Sequence, residues 1–143
     1  MTPRAELWYD GPNYTADAII IDVRHQTILL IKRCDCHEWA LPGGFLDNDE
    51  SSLQAAQREA FEETGASVTN GQLVYQGIVD DPRNTTTAWI ETSAYLFSVA
   101  NVMTIAAGDD AHDARWFSLN KLPTAMYASH RSIIETALNT TNE

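Results

Sequence analysis

Two apolar runs near the N-terminus are separated by a short polar turn. Residues 16–23 and 27–32 are rich in branched aliphatic side chains, and residues 24–26 are polar. This alternation predicts a β-hairpin with a buried strand. A shorter strand is predicted at residues 38–41 and ends at Pro42-Gly43-Gly44. The two glycines permit a backbone conformation that residues with a Cβ atom would resist.

The C-terminal half of the chain continues the alternation of strands and loops. Strands are predicted at residues 72–80, 87–99 and 114–119, with loops at 81–84 and 101–113. A closing helix is predicted at residues 129–139, because its apolar positions fall on one face. Those positions are Ile133, Ile134, Ala137 and Leu138.

Residues 51–64 give the clearest helix signal of the chain. Ser51 and Gln54 have the spacing of a capping box, and Gly65 suits the left-handed position that ends a helix. With successive residues 100° apart around the helix axis, one stripe of the helix surface is expected to face the core, with Phe61 at the edge of the stripe. The stripe is formed by Leu53, Ala56, Ala60 and Thr64. Strands around one central helix, with a second helix at the end, predict a mixed α/β domain that spans residues 1–143.

Composition and charge narrow the class of protein. The chain has 143 residues, a net charge of −11 and nine scattered Lys and Arg, so neither nucleic acid nor an acidic membrane surface is an expected partner. It lacks an 18-residue apolar run, and the first residues lack the apolar core of a signal peptide. Cys34 and Cys36 are too close for an unstrained disulfide, and free thiols indicate a reducing, cytoplasmic setting. A zinc site with His37 is disfavoured, because no second ligand pair has the usual spacing.

Three carboxylates share one face of the central helix. Glu59, Glu62 and Glu63 stand at i, i+3 and i+4, which costs a few tenths of a kcal/mol per pair in an isolated helix. Arg58 offsets part of this cost by pairing with Glu62. Glu62 and Glu63 are also at the helix end that disfavours negative charge. A divalent cation would stabilise them, but helix spacing alone favours a merely solvated charged face.

The wider spacing of these residues resembles the Nudix box. Gly44, Glu50, Arg58-Glu59, Glu62-Glu63 and Gly65 stand at its fixed positions, and Ala60 and Ala66 fill its two aliphatic positions. Seven identities at fixed spacing arise by chance on the order of once per 10^8 start positions. The resemblance implies a Nudix fold, an α/β/α sandwich with a mixed β-sheet.

Segments outside the box are similar to the mitochondrial-type ADP-ribose pyrophosphatase subfamily. They also resemble the Nudix-homology domain of an ADP-ribose-gated cation channel. The segments are 13–17, 38–44, 79–85, 88–92, 107–111 and 127–130. The resemblance implies hydrolysis of ADP-ribose to AMP and ribose 5-phosphate with Mg²⁺ or Mn²⁺.

The same resemblance assigns roles to individual residues. It implies that Glu59 and Glu63 are the principal metal ligands, with Glu62 and the Gly44 carbonyl assisting. Arg58 is expected to orient a box glutamate. Asp110, or its neighbour Asp109, is a candidate general base, and a polar turn is an equally weighted alternative.

The expected substrate contacts lie outside the box. Asp81 and Arg83 are expected to contact ribose hydroxyls and phosphate, with Tyr127 and Ser129 behind them. A tight turn at 81–84 and a core position for Tyr127 remain alternatives. His130 and His112 are expected to be structural or exposed.

Three other functions remain open at this point. One is hydrolysis of another nucleoside diphosphate derivative, such as NADH, a nucleotide sugar or an oxidised nucleotide. Another is a non-catalytic ADP-ribose sensor, which the retained box acids disfavour. A transcriptional regulator would need a DNA-binding domain, for which these residues leave no room. The protein is expected to be a monomer or a homodimer.

Overall fold

A computed structural model describes residues 7–100, 108 and 111–141 of the chain. The strands are β1 (Gly11–Asp22), β2 (Thr27–Arg33), β3 (Trp39–Ala40), β4 (Gly43–Phe45), β5 (Gln72–Ile78), β6 (Ala88–Val99) and β7 (Ala111–Ser118). The helices are α1 (Ser52–Thr64) and α2 (His130–Thr141). Neither helix has the length and apolar character needed to cross a membrane.

The strands form one mixed sheet in the order β3-β2-β1-β6-β5, with β4 paired to β1 and β7 paired to β2. β1 and β6 run parallel, from Gly11 opposite Ala88 to Asp22 opposite Val99. β1 and β2 form the predicted antiparallel hairpin, with Ile21 opposite Ile28. β1 therefore has neighbours on both sides and lies at the centre of the sheet.

Alternate residues of β1 pack against the two helices on opposite faces of the sheet. Ala16, Ala18 and Ile20 join a buried cluster with three alanines of α1 and with Phe97. Ile19 and Ile21 join a second cluster with Ile133, Ile134 and Ala137 of α2. Burial on both faces explains why residues 16–21 form a nearly continuous apolar run. The predicted α/β/α sandwich with a mixed sheet is confirmed.

Helix α1 has the predicted caps and the predicted end, and it begins one residue later than predicted, at Ser52. The Ser51 hydroxyl accepts a hydrogen bond from the Gln54 backbone N–H, and the Gln54 side chain accepts one from the Ser51 N–H. Gly65 ends the helix in the left-handed conformation, with φ of 79°. The buried stripe is broader than predicted and includes Ala55 and Glu63, whereas Phe61 is 60% exposed.

Several strand boundaries differ from the prediction. β1 begins at Gly11, five residues before the apolar run, since its first part pairs with β6. β7 begins at Ala111, so residues 111–113, predicted as loop, pair with the end of β2. The strand β4 was not predicted, because two glycines do not give an apolar pattern. Cys34 and Cys36 are free and exposed, as expected.

The left-handed conformation of Gly65 leads to a prediction about stability. We expect Gly65→Ala to lower the free energy of unfolding by about 1–2 kcal/mol, because a Cβ atom is strained in this conformation. Gly65→Asn is the matched control and should cost less, since asparagine adopts the left-handed region more readily. Urea unfolding of the three proteins measures the difference, and equal stability of all three would contradict the argument.

Candidate active site

A cleft of about 550 Å³ opens where the ends of several elements meet. One wall is formed by β4 and the last turns of α1. The other is formed by the segments after β2 and β5 and by the segment before α2. The polar residues that line the cleft are Thr15, Asp17, Arg33, Asp35, Glu59, Glu63, Asp81, Arg83, Tyr127 and His130.

The first wall brings Glu59 and Glu63 against the two glycines of β4. Glu63 is buried, and its Oε1 accepts a hydrogen bond from the Gly43 N–H at 2.8 Å. A Cβ atom on Gly44 would lie 2.8 Å from the Glu59 carboxyl carbon. A Cβ atom on Gly43 would lie 2.2 Å from Asp17 Oδ1. The glycines are therefore required by close approach of other groups, and the explanation from unusual backbone conformation is wrong, because neither has a positive φ.

Burial makes the two carboxylates of this wall poor acids. The pKa of Glu63 is raised to about 8, mainly by burial and further by the nearby charges of Glu59 and Asp17. Burial also raises the pKa of Glu59, although Arg58 opposes the shift. Asp17 has a raised pKa for the same reason, and the Thr92 hydroxyl donates to its Oδ2 at 2.6 Å. Ionisation of these three carboxyls thus carries an energetic cost at this wall.

Arg58 connects the start of α1 to its acidic face. Its Nε donates to Glu50 at 2.7 Å, and its Nη1 donates to Glu59 at 2.6 Å and to Glu62 at 3.1 Å. Its Nη2 donates to the Phe45 carbonyl at 3.1 Å. Arg58 and Glu62 do not line the cleft. These contacts suit a residue that positions Glu59, which is the role expected for Arg58.

The donors at this wall fit a hard divalent cation by their chemistry. Glu59 and Glu63 present carboxylate oxygens beside the Gly44 backbone, and such cations take oxygen ligands. The pKa values of both carboxyls are raised, because the positive charge of Arg58 beside Glu59 and of Arg33 near Glu63 offsets only part of the effect of burial. Within residues 7–100, 108 and 111–141, no three acidic, histidine or cysteine side chains already converge as a cation site. Arg58 instead holds Glu59 and Glu62.

The opposite wall carries a connected set of three predicted residues. Arg83 donates to both carboxylate oxygens of Asp81, at 2.9 and 3.0 Å. The Tyr127 hydroxyl donates to Asp81 Oδ2 at 2.9 Å. Burial opposes ionisation of Asp81, but the hydrogen bonds from Arg83 outweigh it, and the pKa of Asp81 is lowered. Arg83 N–H also donates to Asp81 Oδ1, so the segment is a tight turn as well as a cleft wall.

The remaining predicted site residues are placed differently. The Ser129 hydroxyl accepts from the Asp80 N–H at 2.8 Å and is not among the residues that line the cleft. It therefore joins the end of β5 to the start of α2. Asp109 and Asp110 lie outside the described residues, as does the side chain of His112.

Several cleft residues were not predicted as site residues. Asp17 interrupts an apolar strand, and a lone acid in such a run is a signal of a buried polar role. Arg33 follows Lys32 at the end of β2, and nothing in the sequence pattern distinguishes it from a surface cation. Phe45 lies 5.3 Å from the Arg83 guanidinium, measured to the ring centroid.

His130 has both a structural and a cleft-facing position. It is buried, and its Nδ1 accepts a hydrogen bond from the Leu41 N–H at 2.9 Å. The neutral ring therefore carries its proton on Nε2. Burial lowers the pKa of His130, against the opposing effect of Asp17. The expected structural role is present, but His130 also lines the cleft.

Comparison with known proteins identifies the family. The NUDIX domain model matches residues 11–137. A nudix hydrolase of Caenorhabditis elegans is 36% identical, over 87% of this chain and 54% of its own length. The mitochondrial ADP-ribose pyrophosphatase of Rattus norvegicus is 34% identical, over 87% of this chain and 47% of its own length. A TRPM2-like cation channel of Nematostella vectensis is 32% identical, over 94% of this chain and 11% of its own length.

A solved structure supports the same relationship. A bifunctional NMN adenylyltransferase/ADP-ribose pyrophosphatase of Francisella tularensis, complexed with AMP and a Mn ion, superposes with a TM-score of 0.74 at 29% identity. The match covers 94% of this chain and 43% of that chain. This chain belongs to the Nudix family, and its relatives include ADP-ribose pyrophosphatases. It spans about half the length of the first two relatives.

The buried position of His130 leads to a prediction about pH. The folded-state pKa is lowered, so the unfolded chain binds a proton more readily and stability is lost as the pH falls below about 6.5. We expect His130→Asn, which keeps an acceptor for the Leu41 N–H, to remove this contribution. The raised pKa of Asp17 makes its own contribution to stability change with pH in the opposite direction. The charges of Arg33 and Asp81 also act on the His130 ring.

The difference in unfolding free energy between the natural protein and His130→Asn isolates the contribution of the histidine. Between pH 7.5 and 5.5, the unfolding free energy of the natural protein should fall by about 1 kcal/mol relative to His130→Asn. Urea unfolding at each pH measures it. Parallel pH profiles for the two proteins would contradict a buried neutral histidine.

Proposed function

We propose that this protein hydrolyses the pyrophosphate of ADP-ribose to AMP and ribose 5-phosphate in a metal-dependent reaction. One observation carries the proposal. A carboxylate pair, the buried Glu63 and the half-buried Glu59, lines one cleft of about 550 Å³ together with paired arginine, carboxylate and tyrosine groups. A cleft of this size accommodates a nucleotide-sized ligand. The activity of two pyrophosphatase relatives supports the choice of substrate.

The metal site in this proposal is the first wall. Glu59 and Glu63, assisted by Glu62 and the Gly44 carbonyl, would hold Mg²⁺ or Mn²⁺. Nudix hydrolases generally use divalent metal ions, and such an ion neutralises pyrophosphate charge and lowers the pKa of bound water. The Gly43 N–H fixes Glu63 Oε1, and Arg58 fixes Glu59, so both carboxylates are positioned before a ligand arrives.

The second wall supplies substrate contacts in this proposal. Arg83 lines the cleft and is already paired with Asp81, so it contributes a cation that is held in place. Tyr127 lines the cleft beneath the Arg33 guanidinium, and burial raises the pKa of its hydroxyl to about 12, so the hydroxyl stays protonated at neutral pH and keeps its hydrogen bond to Asp81. Ser129 acts by fixing Asp80. Asp110 is our proposal for the general base, from its place in the sequence six residues before Trp116.

The setting of the protein is part of the same proposal. Free, exposed thiols at Cys34 and Cys36 support a reducing compartment, and we propose the cytoplasm. The net charge of −11 supports a small-molecule substrate rather than nucleic acid or a membrane. One sheet with a helix on each face supports a single domain over residues 1–143.

Product analysis tests the substrate. The purified chain is incubated with ADP-ribose and Mg²⁺ or Mn²⁺, beside NADH, a nucleotide sugar and 8-oxo-dGTP. We expect AMP and ribose 5-phosphate in equal amounts from ADP-ribose, and no turnover after EDTA. Turnover of another compound in the panel while ADP-ribose is untouched would overturn the substrate. An inactive chain that still binds ADP-ribose would indicate a sensor.

Replacement of Glu63 tests the metal site. We expect Glu63→Gln to lower kcat/KM by on the order of a hundredfold or more, because even residues that only orient a metal ligand contribute roughly 10- to 100-fold. The matched control is Glu135→Gln, at an exposed position of α2. Because Gln is neutral, the variant should fold at least as stably as the natural protein. Undiminished turnover with Glu63→Gln would refute the role of this carboxylate.

A further inference from the structure

The two cleft arginines are neutralised in different ways. Arg83 is bound at two points by Asp81, whose side chain is 3% exposed. Arg33 is also bound at two points, by Asp35, through Nε at 2.9 Å and Nη2 at 2.6 Å. The Asp35 side chain is 61% exposed. Asp81 is held by Arg83 and by the Tyr127 hydroxyl, whereas Asp35 is exposed enough to turn into solvent by rotating its side chain.

The Arg33 guanidinium is held in place independently of Asp35. It lies over the ring of Tyr127 at 4.0 Å from the centroid, and the Tyr127 hydroxyl is fixed by Asp81. Stacking fixes the plane of the guanidinium group. Its hydrogen-bonding edge would therefore keep its position in the cleft if Asp35 moved away.

The edge that Asp35 occupies suits a phosphate group equally well. Arginine binds carboxylate and phosphate with the same pair of parallel N–H donors. Arg33 lowers the pKa of the Asp35 carboxyl to about 2, so Asp35 is an anion at every working pH. Because Asp35 is exposed, this partly exposed ion pair contributes modestly to stability, so an incoming phosphate group could replace it.

We propose that Arg33 binds a phosphate group of the substrate and that Asp35 occupies its hydrogen-bonding edge as an internal anion until the substrate displaces it. The proposal rests on the proposed function, because that function brings a phosphate-bearing ligand into this cleft. Asp35 then determines the affinity of the site, since its displacement precedes the chemical step. Its charge should affect KM rather than kcat.

Direct binding of inorganic pyrophosphate, in EDTA and without turnover, tests the proposal by isothermal titration calorimetry. We expect Asp35→Asn to tighten binding by about two- to fivefold, the factor that corresponds to one partly exposed ion pair. Arg33→Gln should weaken binding by about tenfold or more, as expected for hydrogen bonds between charged groups. The matched control is Asp113→Asn, which breaks an ion pair of the same spacing with Arg115, on β7 and outside the cleft; its affinity should equal that of the natural protein.

The double variant separates displacement from simple charge repulsion. If Asp35 acts by occupying the hydrogen-bonding edge of Arg33, Asp35→Asn should not change the affinity for pyrophosphate in the Arg33→Gln background. The same gain in both backgrounds would mean repulsion through space and would overturn the proposal. So would unchanged affinity in either single variant, or binding too weak to measure in both the natural protein and Asp35→Asn.

Kinetics with ADP-ribose complete the test. Asp35→Asn should lower KM by the same two- to fivefold factor, and a change confined to kcat would overturn the proposal. Failure of the proposed function is distinguishable from this outcome. In that case ADP-ribose is not hydrolysed, but calorimetry with pyrophosphate still shows that the effect of Asp35→Asn on affinity requires Arg33.

Discussion

The last turns of α1 approach strand β4 so closely that only hydrogen atoms fit between them. Glu63 receives its hydrogen bond from Gly43, and a Cβ atom on Gly44 would collide with the Glu59 carboxylate. On the other side of β4, a Cβ atom on Gly43 would collide with Asp17 and with the Ala16 carbonyl. The pair of glycines therefore lets β1, β4 and α1 meet, and the carboxylates become buried at the cleft as a result.

The rest of the fold supports this contact. β1 lies between β2 and β6 in the sheet, and its alternate residues anchor both helices. The alanines at 55, 56 and 60 let α1 lie close to the sheet, because larger side chains would raise the helix above it. The small residue at position 60, an aliphatic position of the Nudix box, is thus part of the same close packing. Capping at Ser51 and Gly65 limits the helix so that Glu59 and Glu63 fall in its last two turns.

Local patterns predicted much of this structure, and long-range contacts account for what they did not predict. The capping box, the helix end at Gly65 and the hairpin follow from neighbouring residues. The strand β4, the buried Asp17 and the cleft position of Arg33 depend on partners far along the chain, such as Thr92 and Tyr127. The box spacing identified Glu59 and Glu63, but it did not show that Arg58 would bind both Glu50 and Glu59. Asp109 and Asp110 lie outside the described residues, so the general base stays a prediction.

The two walls of the cleft differ in how their charge is balanced. At the first wall, the carboxyls of Glu59, Glu63 and Asp17 all have raised pKa values, because burial has removed water without supplying an equal positive charge. At the second wall, each acid has an arginine, and the pKa values of Asp81 and Asp35 are lowered. A cation alone would satisfy only the first wall, and an anion alone would satisfy only the second. A ligand that brings a divalent cation and a phosphate anion together satisfies both walls, and a metal-bound pyrophosphate has this charge pattern.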